Sequence, residues 1–230
     1  MRKLYLAYLI ALAAVVATIG ITPILALHGP KDVAGTLYNA YAPTCHQWIY
    51  RSSCVFFDGS SHRIGDCIER GKEGSAMIAT EFTNADKRWD GAFQYSRDQI
   101  GVNRAERVQY GGEIGYKFPN DTRNIGIYIA MLLAGIALPY KWKKPYVPRF
   151  AYFALGIAPL AIDATGQMLG FWESTNIIRF ITGIIAGVTI SLFIYAMLHD
   201  RLNDASFSGP VLPKQNSEGR NTDNSQKEVK

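Results

Sequence analysis

Residues 159–183 read PLAIDATGQMLGFWESTNIIRFITG, an apolar stretch interrupted by polar side chains. Most of it is apolar enough for a membrane interior, yet it contains Asp163, Gln167, Asn176 and Arg179. A charged side chain inside a membrane is costly unless it meets a partner, water or a cavity, and it marks a functional site by default. The stretch therefore predicts two membrane-spanning helices joined by a short turn, with a polar site between them.

Four apolar runs have the length of membrane spans, since a hydrocarbon core of about 30 Å requires about 20 helical residues. They are residues 4–27, 124–140, 150–172 and 177–198. The second run is short, so we expect it to be upright or extended by its flanks. The first could be read as a cleaved signal peptide, but it exceeds the usual apolar length and no small-residue cleavage site follows it.

These runs predict an all-α integral membrane protein, a bundle of four transmembrane helices with a small extracytoplasmic insert between the first two. The tail after Leu198 is rich in Asn, Ser, Lys, Glu and Gly and cannot bury enough apolar surface to offset its ordering entropy. The expected regions are a first helix at 1–27, an extracytoplasmic segment at 28–123, further helices at 124–140, 150–172 and 177–198, and a disordered tail at 199–230.

Basic residues indicate the orientation, because Lys and Arg in short loops remain on the cytoplasmic side. Arg2 and Lys3 precede the first run, and the connection KWKKPYVPR at 141–149 separates the second from the third. Glu173 is the only charge between the third and fourth runs. We therefore expect a cell-membrane protein with both termini in the cytoplasm. These flanks also account for much of the net charge of +5, so no nucleic-acid partner is expected.

The segment at 28–123 is too long to be a simple connector. Within it, RVQYGGEIGYKF at 107–118 alternates apolar and polar residues around Gly111 and Gly112, which predicts a half-buried β-hairpin. We expect helices at 74–82 and 97–108. The segment is thus predicted to form a small extracytoplasmic cap, and residues 55–118 are its candidate surface for a membrane partner protein.

The three cysteines, Cys45, Cys54 and Cys67, all fall in this segment, where an oxidising exterior favours disulfides. A bond between Cys54 and Cys67 would close a local loop and leave Cys45 beside His46. Alternatively, these residues and His62 form a metal cluster, or the thiols stay uncommitted. The spacings lack the paired arrangement of zinc sites, so no metal site is predicted.

Three motifs carry a resemblance to a known family: CHQWIYRS at 45–52, TRNIGIY at 122–128 and PLAIDATGQMLGFWESTNIIRFITGIIAG at 159–187. Together they resemble the multi-pass membrane proteins of domain of unknown function 2085. The family commonly has Cys-Ala-Arg where this chain has Asp121-Thr122-Arg123, so a role for that cysteine does not carry over. The resemblance implies a multi-pass membrane fold and no particular activity. Under the orientation above, every motif lies near the outer face.

The first functional hypothesis is an enzyme or binding protein that acts on a lipid-linked or small polar substrate at this outer polar site. His46 is the candidate acid or base because its reference pKa is near neutrality, and Asp163 is expected to orient it or to bind a cation. The sequence does not identify a cofactor. The candidate substrate-binding residues are Gln47, Arg51, Arg123, Gln167, Ser174, Asn176 and Arg179.

The second hypothesis is a non-catalytic scaffold or a carrier of small solutes or ions. In this interpretation Asp163 forms a structural tie with Arg179 or with Gln167, and the pairs Gly166/Gly170 and Gly183/Gly187 allow the third and fourth spans to pack closely. The chain shows no internal repeat of the kind typical of carriers. It also contains no phosphate loop, nucleophile elbow, zinc-protease helix or dinucleotide fingerprint.

Overall fold

The structure is a computed structural model that describes residues 2–44, 49–82, 91–94, 105–143 and 145–207. Within these ranges the chain forms five α-helices and one sheet of six strands. The helices are α1 (Arg2–His28), α2 (Lys31–Tyr41), α3 (Thr122–Lys141), α4 (Phe150–Met168) and α5 (Asn176–Phe207). The strands are β1 (Ser53–Phe57), β2 (His62–Asp66), β3 (Met77–Thr80), β4 (Gly91–Gln94), β5 (Arg107–Tyr110) and β6 (Glu113–Lys117).

Three helices in the described part of the chain are long and apolar enough to cross a membrane: Lys3–His28, Thr122–Lys141 and Asn176–His199. Their mean hydropathies are 2.4, 1.4 and 2.2. They confirm the first, second and fourth apolar runs. The third run forms α4, but its aspartate and glutamine lower its apolar character and it is not among the three. A four-span bundle therefore remains a proposal.

The end of α4 differs from its predicted position. The helix ends at Met168, four residues earlier than expected, because Gly170 adopts a φ of 75° that favours glycine. The Gly170 N–H donates to the Gln167 carbonyl at 3.2 Å, and the Phe171 N–H donates to the Gly166 carbonyl at 2.9 Å. These two bonds form a Schellman motif, which closes the helix and satisfies its last carbonyl groups.

Side-chain caps set the starts of α3 and α5. The Asp121 carboxylate accepts a hydrogen bond from the Asn124 N–H at 3.0 Å, and the Thr175 hydroxyl accepts one near the start of α5 at 3.2 Å. Such caps satisfy backbone donors that have no partner inside the helix. At its other end α5 continues to Phe207. Residues 199–207 of the predicted disordered tail are therefore helical. Residues 208–230 lie outside the described residues.

Glycines let α5 approach α3 closely. A Cβ atom on Gly183 would lie 2.3 Å from the Arg123 carbonyl oxygen, and one on Gly187 would lie 2.4 Å from the Ile127 carbonyl oxygen. On the facing side, a Cβ atom on Gly126 would lie 2.6 Å from the Phe180 carbonyl oxygen. Only glycine permits such backbone contact between helices.

This packing corrects the prediction that both glycine pairs join the third and fourth apolar runs. Gly183 and Gly187 contact α3 instead of α4. Gly166 accommodates the indole ring of Trp172, where a Cβ atom would lie 2.1 Å from the ring. Gly170 lies in the turn after α4. The two glycine pairs therefore make different contacts, because α4 ends before Gly170.

Between α1 and α3 the chain forms α2 and then a sheet. The sheet has the strand order β2-β1-β6-β5-β3-β4, and its pairings are antiparallel. The predicted hairpin is confirmed as β5 and β6, with Gly111 at a φ of 56° in the turn. The all-α class therefore does not extend to the insert, for which a hairpin was expected and a six-stranded sheet is found. The helix predicted at 74–82 is wrong, since β3 pairs with both β4 and β5. The helix predicted at 97–108 lies mostly outside the described residues, and its last two residues begin β5.

A disulfide joins Cys54 in β1 to Cys67, which follows β2, with the Cα atoms 4.9 Å apart. Both cysteines are buried in the core of the sheet with Phe56, Ile78 and Val108. Of the alternatives for the cysteines, the local pairing is the one observed, so these two sulfur atoms are not metal ligands. The described residues contain no group of three or more His, Cys, Asp and Glu side chains that could hold a metal. Cys45 lies outside the described ranges.

The sheet is attached to one end of the helices. The buried Tyr38 of α2 donates its hydroxyl to the Lys117 carbonyl of β6 at 2.5 Å. The hydroxyls of Ser53 in β1 and Thr122 in α3 lie 2.9 Å apart. At the other end, the Tyr195 hydroxyl in the second half of α5 donates to the Trp142 carbonyl at 3.2 Å. The sheet and the basic connection between α3 and α4 therefore lie at opposite ends of the helices.

Candidate functional site

Asp163 lies in α4, where the end of this helix meets the starts of α3 and α5. Its side chain is buried, with 5% of the residue exposed. The carboxylate forms an ion pair with Arg123 of α3 and accepts hydrogen bonds from Gln167 at 2.9 Å and from the Trp172 indole at 3.4 Å. Protein donors from two helices and a turn therefore replace water around this charge.

Arg179 of α5 occupies the same junction and is 2% exposed. Its guanidinium donates to the Gln167 amide oxygen at 2.8 Å and to the Asn176 amide oxygen at 3.2 Å. Of the two predicted ties of Asp163, the one with Gln167 is observed and the one with Arg179 is not. Arg123 pairs with Asp163, and Gln167 lies between Asp163 and Arg179. An amide can fill that position since it carries both donors and an acceptor.

Asn176 extends these contacts to the sheet. Its amide nitrogen donates to the Asp66 carboxylate at 2.9 Å and to the Ser52 carbonyl at 3.3 Å. A continuous chain of side chains thus joins three helices to β2. We call it the polar cluster, and its members are Arg123, Asp163, Gln167, Arg179, Asn176 and Asp66.

The cluster lies closer to the helix ends than the sequence indicated. The predicted third run ends at Trp172, and a helix of that length would place Asp163 about 13 Å from its end, at about 1.5 Å per residue. Because α4 ends at Met168, the aspartate is only about 7.5 Å from that end. The polar cluster therefore occupies the junction of helices and sheet instead of the middle of the helical region.

The electrostatic balance of the cluster is positive around Arg179. Arg51 and Arg123 add positive potential at Arg179, and Asp121 opposes them with a smaller negative contribution. The Arg51 guanidinium lies 5.2 Å from the centre of the Tyr50 ring. Among the described residues, Arg179 contacts amide oxygens and forms no ion pair. The Nε atoms of Arg123 and Arg179 are buried without a hydrogen-bond partner in the described part of the chain.

Most of the predicted site residues come together here. Arg51, Arg123, Gln167, Asn176 and Arg179 surround the junction that contains Asp163. Ser174 is buried beside them, and its hydroxyl donates to the Thr175 carbonyl at 3.3 Å. A small cavity of about 40 Å³ adjoins Ser174 and Asn176.

Two predicted residues, His46 and Gln47, lie outside the described residues. The expected acid or base role of His46 and the binding role of Gln47 therefore stay predictions.

Sequence reasoning missed Asp66, Ser52 and the role of Trp172. Asp66 and Ser52 are more than a hundred residues from Asn176 in the chain, and nothing in their local sequence distinguishes them from other polar residues of the insert. Trp172 follows an apolar run and has the sequence context of an interfacial anchor. The signal in the sequence was Gly166, six residues before Trp172. A glycine leaves room for the Trp172 ring to pack back onto α4.

Comparisons with known proteins give the following matches. Residues 113–193 match the family described as Predicted membrane protein (DUF2085). An uncharacterized protein of Methanocaldococcus jannaschii is 34% identical over 90 residues, which cover 38% of this chain and 58% of the relative. An uncharacterized protein of Methanothermobacter thermautotrophicus is 31% identical over 88 residues, which cover 37% of this chain and 77% of that protein. The match thus spans less than two thirds of the first relative. No solved structure matches the chain significantly.

The long apolar helices and the family description define a membrane protein with several candidate spans. More particularly, the chain belongs to the family of domain of unknown function 2085, as its motifs predicted. The matched residues extend from β6 into α5. They include every member of the polar cluster except Asp66.

Proposed function

We propose that the polar cluster binds the anionic group of a lipid-linked or small polar substrate in the outer half of the bilayer. The observation that carries this proposal is the environment of Arg179, which is almost fully buried and contacts only the amide oxygens of Gln167 and Asn176 among the described residues. A buried charge costs several kcal/mol when no opposite charge compensates it. Because Asp163 is already paired with Arg123, a bound anion is the natural counterion for Arg179.

The chemistry of the anion follows from the donors that face it. Guanidinium groups form charge-assisted, often bidentate hydrogen bonds with phosphate and carboxylate groups. The buried Nε atoms of Arg123 and Arg179 are donors still without a protein partner in the described part of the chain. We therefore expect a phosphate or a carboxylate as the bound group.

The other residues have supporting roles in this proposal. Asp163 is a positioning residue, since it holds Arg123 and Gln167 in place. Asn176 and Ser174 supply neutral polar groups beside the small cavity. Arg51 adds positive potential, and Gln47 and His46 complete the proposed site from the chain segment that precedes Ile49. If the protein is an enzyme, His46 is the proposed acid or base.

The proposed arrangement in the membrane has four spans, with α4 as the third. Both termini and the connection between α3 and α4 face the cytoplasm, and the sheet lies outside. The basic residues of that connection support this orientation, together with the separation of the connection and the sheet at opposite ends of the helices.

Ligand titration of the full chain in neutral detergent tests the proposed anion site. Two probes distinguish the sources of the anion: inorganic phosphate, and phosphatidylglycerol compared with phosphatidylcholine. We expect Arg179→Gln to weaken anion binding by about tenfold or more, because a charge-assisted hydrogen bond is worth about 1.5–3 kcal/mol. Arg63→Gln is the matched control, since Arg63 is paired with Glu69 and Glu113 on the sheet.

Binding of phosphate alone would identify a small polar substrate, whereas binding of phosphatidylglycerol without phosphate would identify a lipid-linked one. Equal anion binding by the wild type and Arg179→Gln would contradict the proposal. The cluster would then be a structural tie, and a scaffold or carrier would be the better description of the protein.

A further inference from the structure

A groove of about 440 Å³ lies between α1, α3, α5 and the edge strand β2. Its walls are mostly apolar and include Val16 and Ile19 of α1, Ile125 and Ile129 of α3, and Phe180 of α5. The volume falls in the range of about 300–1,000 Å³ that is typical of small-molecule sites. The groove is distinct from the small cavity beside Ser174, although Asp66 and Asn176 line both.

One end of this groove is polar. Ser53, Asp66, Thr122 and Asn176 line it there. The Ser53 and Thr122 hydroxyls contact each other at 2.9 Å, and one oxygen of the Asp66 carboxylate accepts from Asn176 at 2.9 Å. The second Asp66 oxygen accepts no hydrogen bond from the described residues. The groove thus combines an apolar body with an acidic, hydroxyl-lined end.

We propose that the groove holds the hydrocarbon chain of an anionic membrane lipid whose head group donates a hydroxyl hydrogen bond to Asp66. This inference rests on the proposed function and identifies its substrate class as an amphiphile. The three helices that line the groove are the ones long and apolar enough to cross a membrane, and at that depth the available apolar molecules are lipid chains. The polar end lies beside the sheet, where the helices end and head groups are found.

Asn176 connects the groove to the polar cluster. Its amide nitrogen contacts Asp66 in the groove, while its amide oxygen accepts from Arg179. A head group at the polar end would therefore lie within one side chain of the arginine that has no ion pair among the described residues. Asp66 accepts hydroxyl groups and Arg179 attracts an anion, so a glycerol phosphate head group fits both.

Gly20 offers a way to fill the groove without disturbing the helix packing. It lines the groove, and a Cβ atom built on it would meet nothing within 4 Å. Gly20→Leu should exclude part of the lipid chain. Each buried methylene is worth about 0.8 kcal/mol, so loss of two or three should weaken binding by about tenfold or more. The control is Ala14→Leu, at an exposed position on the opposite face of α1.

The measurement is native mass spectrometry of the full chain in neutral detergent, titrated with palmitoyl lysophosphatidylglycerol. We expect the wild type and Ala14→Leu to bind one molecule with similar affinity, and Gly20→Leu to bind it more weakly. Ile64→Asp is a second variant of the groove wall, at a residue of β2 that is 71% exposed and so can be changed without loss of folding. It should also weaken binding.

A second titration tests the head group. Palmitoyl lysophosphatidylcholine has the same chain and phosphate but no glycerol diol in its head group. We expect the wild type to bind lysophosphatidylglycerol several-fold more tightly, and Asp66→Asn to reduce that preference because the anionic acceptor is lost. An unchanged preference in Asp66→Asn would overturn the assignment of Asp66.

The outcomes separate this inference from the proposed anion site. If Gly20→Leu loses the lysolipid but still binds phosphate, both proposals stand. If Arg179→Gln binds the lysolipid as tightly as the wild type while Gly20→Leu binds it more weakly, the anion site fails and the groove stands. Wild-type affinity in both Gly20→Leu and Ile64→Asp would overturn the groove proposal. So would a wild-type dimer that Gly20→Leu dissociates, because the occupant would then be a second copy of the chain.

Discussion

Around Asp163, donors from different described parts of the chain surround one carboxylate, among them Arg123, Gln167 and Trp172. Arg123 begins α3, Gln167 is one helical turn further along α4, and Trp172 follows the turn that ends α4. Removing one partner of a buried ion pair destabilises a protein by more than the whole pair contributes to its stability, because the remaining charge is left uncompensated. The pair therefore strongly constrains how α3 and α4 can be arranged.

We expect Asp163→Asn to destabilise the protein by about 3–5 kcal/mol, since Arg123 would keep a buried charge without its counterion. The double variant Asp163→Asn/Arg123→Gln should cost less than the sum of its two single changes, because contacting residues are not additive. Unfolding of the full chain in mixed micelles measures both effects.

Glu113→Gln is the matched control for this pair. Glu113 is ion-paired with Arg63, but both side chains are about a third or more exposed, and such exposed pairs contribute about 1 kcal/mol or less. Additive losses in the double variant at Asp163 and Arg123 would show that the two side chains do not act as a pair.

The packing of α3 against α5 depends on glycines that face backbone atoms. Gly183 lies opposite the Arg123 carbonyl, so the helix contact also positions the residue that pairs with Asp163. The arrangement of two helices and the geometry of the polar cluster are therefore coupled through one short contact.

Gly183→Ala should separate α3 from α5 and destabilise the protein by about 1–3 kcal/mol, as overpacking does in well-packed cores. Gly20→Ala is the matched control, because a Cβ atom there meets nothing within 4 Å. That substitution should be neutral or stabilise by up to about 1 kcal/mol through helix propensity. Thermal unfolding in detergent compares the two. Equal stability of both variants would mean that the α3–α5 contact is not as close as described.

The sheet and the helices of this protein meet at a polar junction. Asn176 of α5 bonds to Ser52 and Asp66, which precede and end the first hairpin of the sheet. The same side chain accepts from Arg179 within the helical region. A substrate at this junction would contact both parts of the molecule, which gives the sheet a role beyond that of a cover.

The proposed orientation is tested with single cysteines in a Cys45→Ala background. Ser60→Cys lies in an exposed turn of the sheet, and Val147→Cys lies between α3 and α4. In intact cells, a membrane-impermeant maleimide should label Ser60→Cys and should label Val147→Cys only after the membrane is opened. The reverse pattern would invert the topology, and labelling of both in intact cells would exclude the proposed spans.

Local patterns in the chain were enough to locate several features. The long apolar runs located α1, α3 and α5, because a helix that crosses lipid needs a long apolar segment wherever it occurs. Alternation around Gly111 and Gly112 located the hairpin of β5 and β6. Polar residues within 159–183 indicated where the polar cluster lies, since charged and amide side chains are rare inside membrane-spanning segments.

The contacts between side chains could not be predicted in this way, because they join distant parts of the chain. The pairing of Asp163 with Arg123, the contact of Gly183 with α3 and the bond from Asn176 to Asp66 join residues that have no local relation. Likewise, β3 is a strand because β4 and β5 supply its hydrogen bonds, although its own four residues do not require one. Composition along the chain thus decided which segments are apolar and which positions are polar. Only the folded arrangement decided which charges neutralise each other, since charge pairing depends on contact in space.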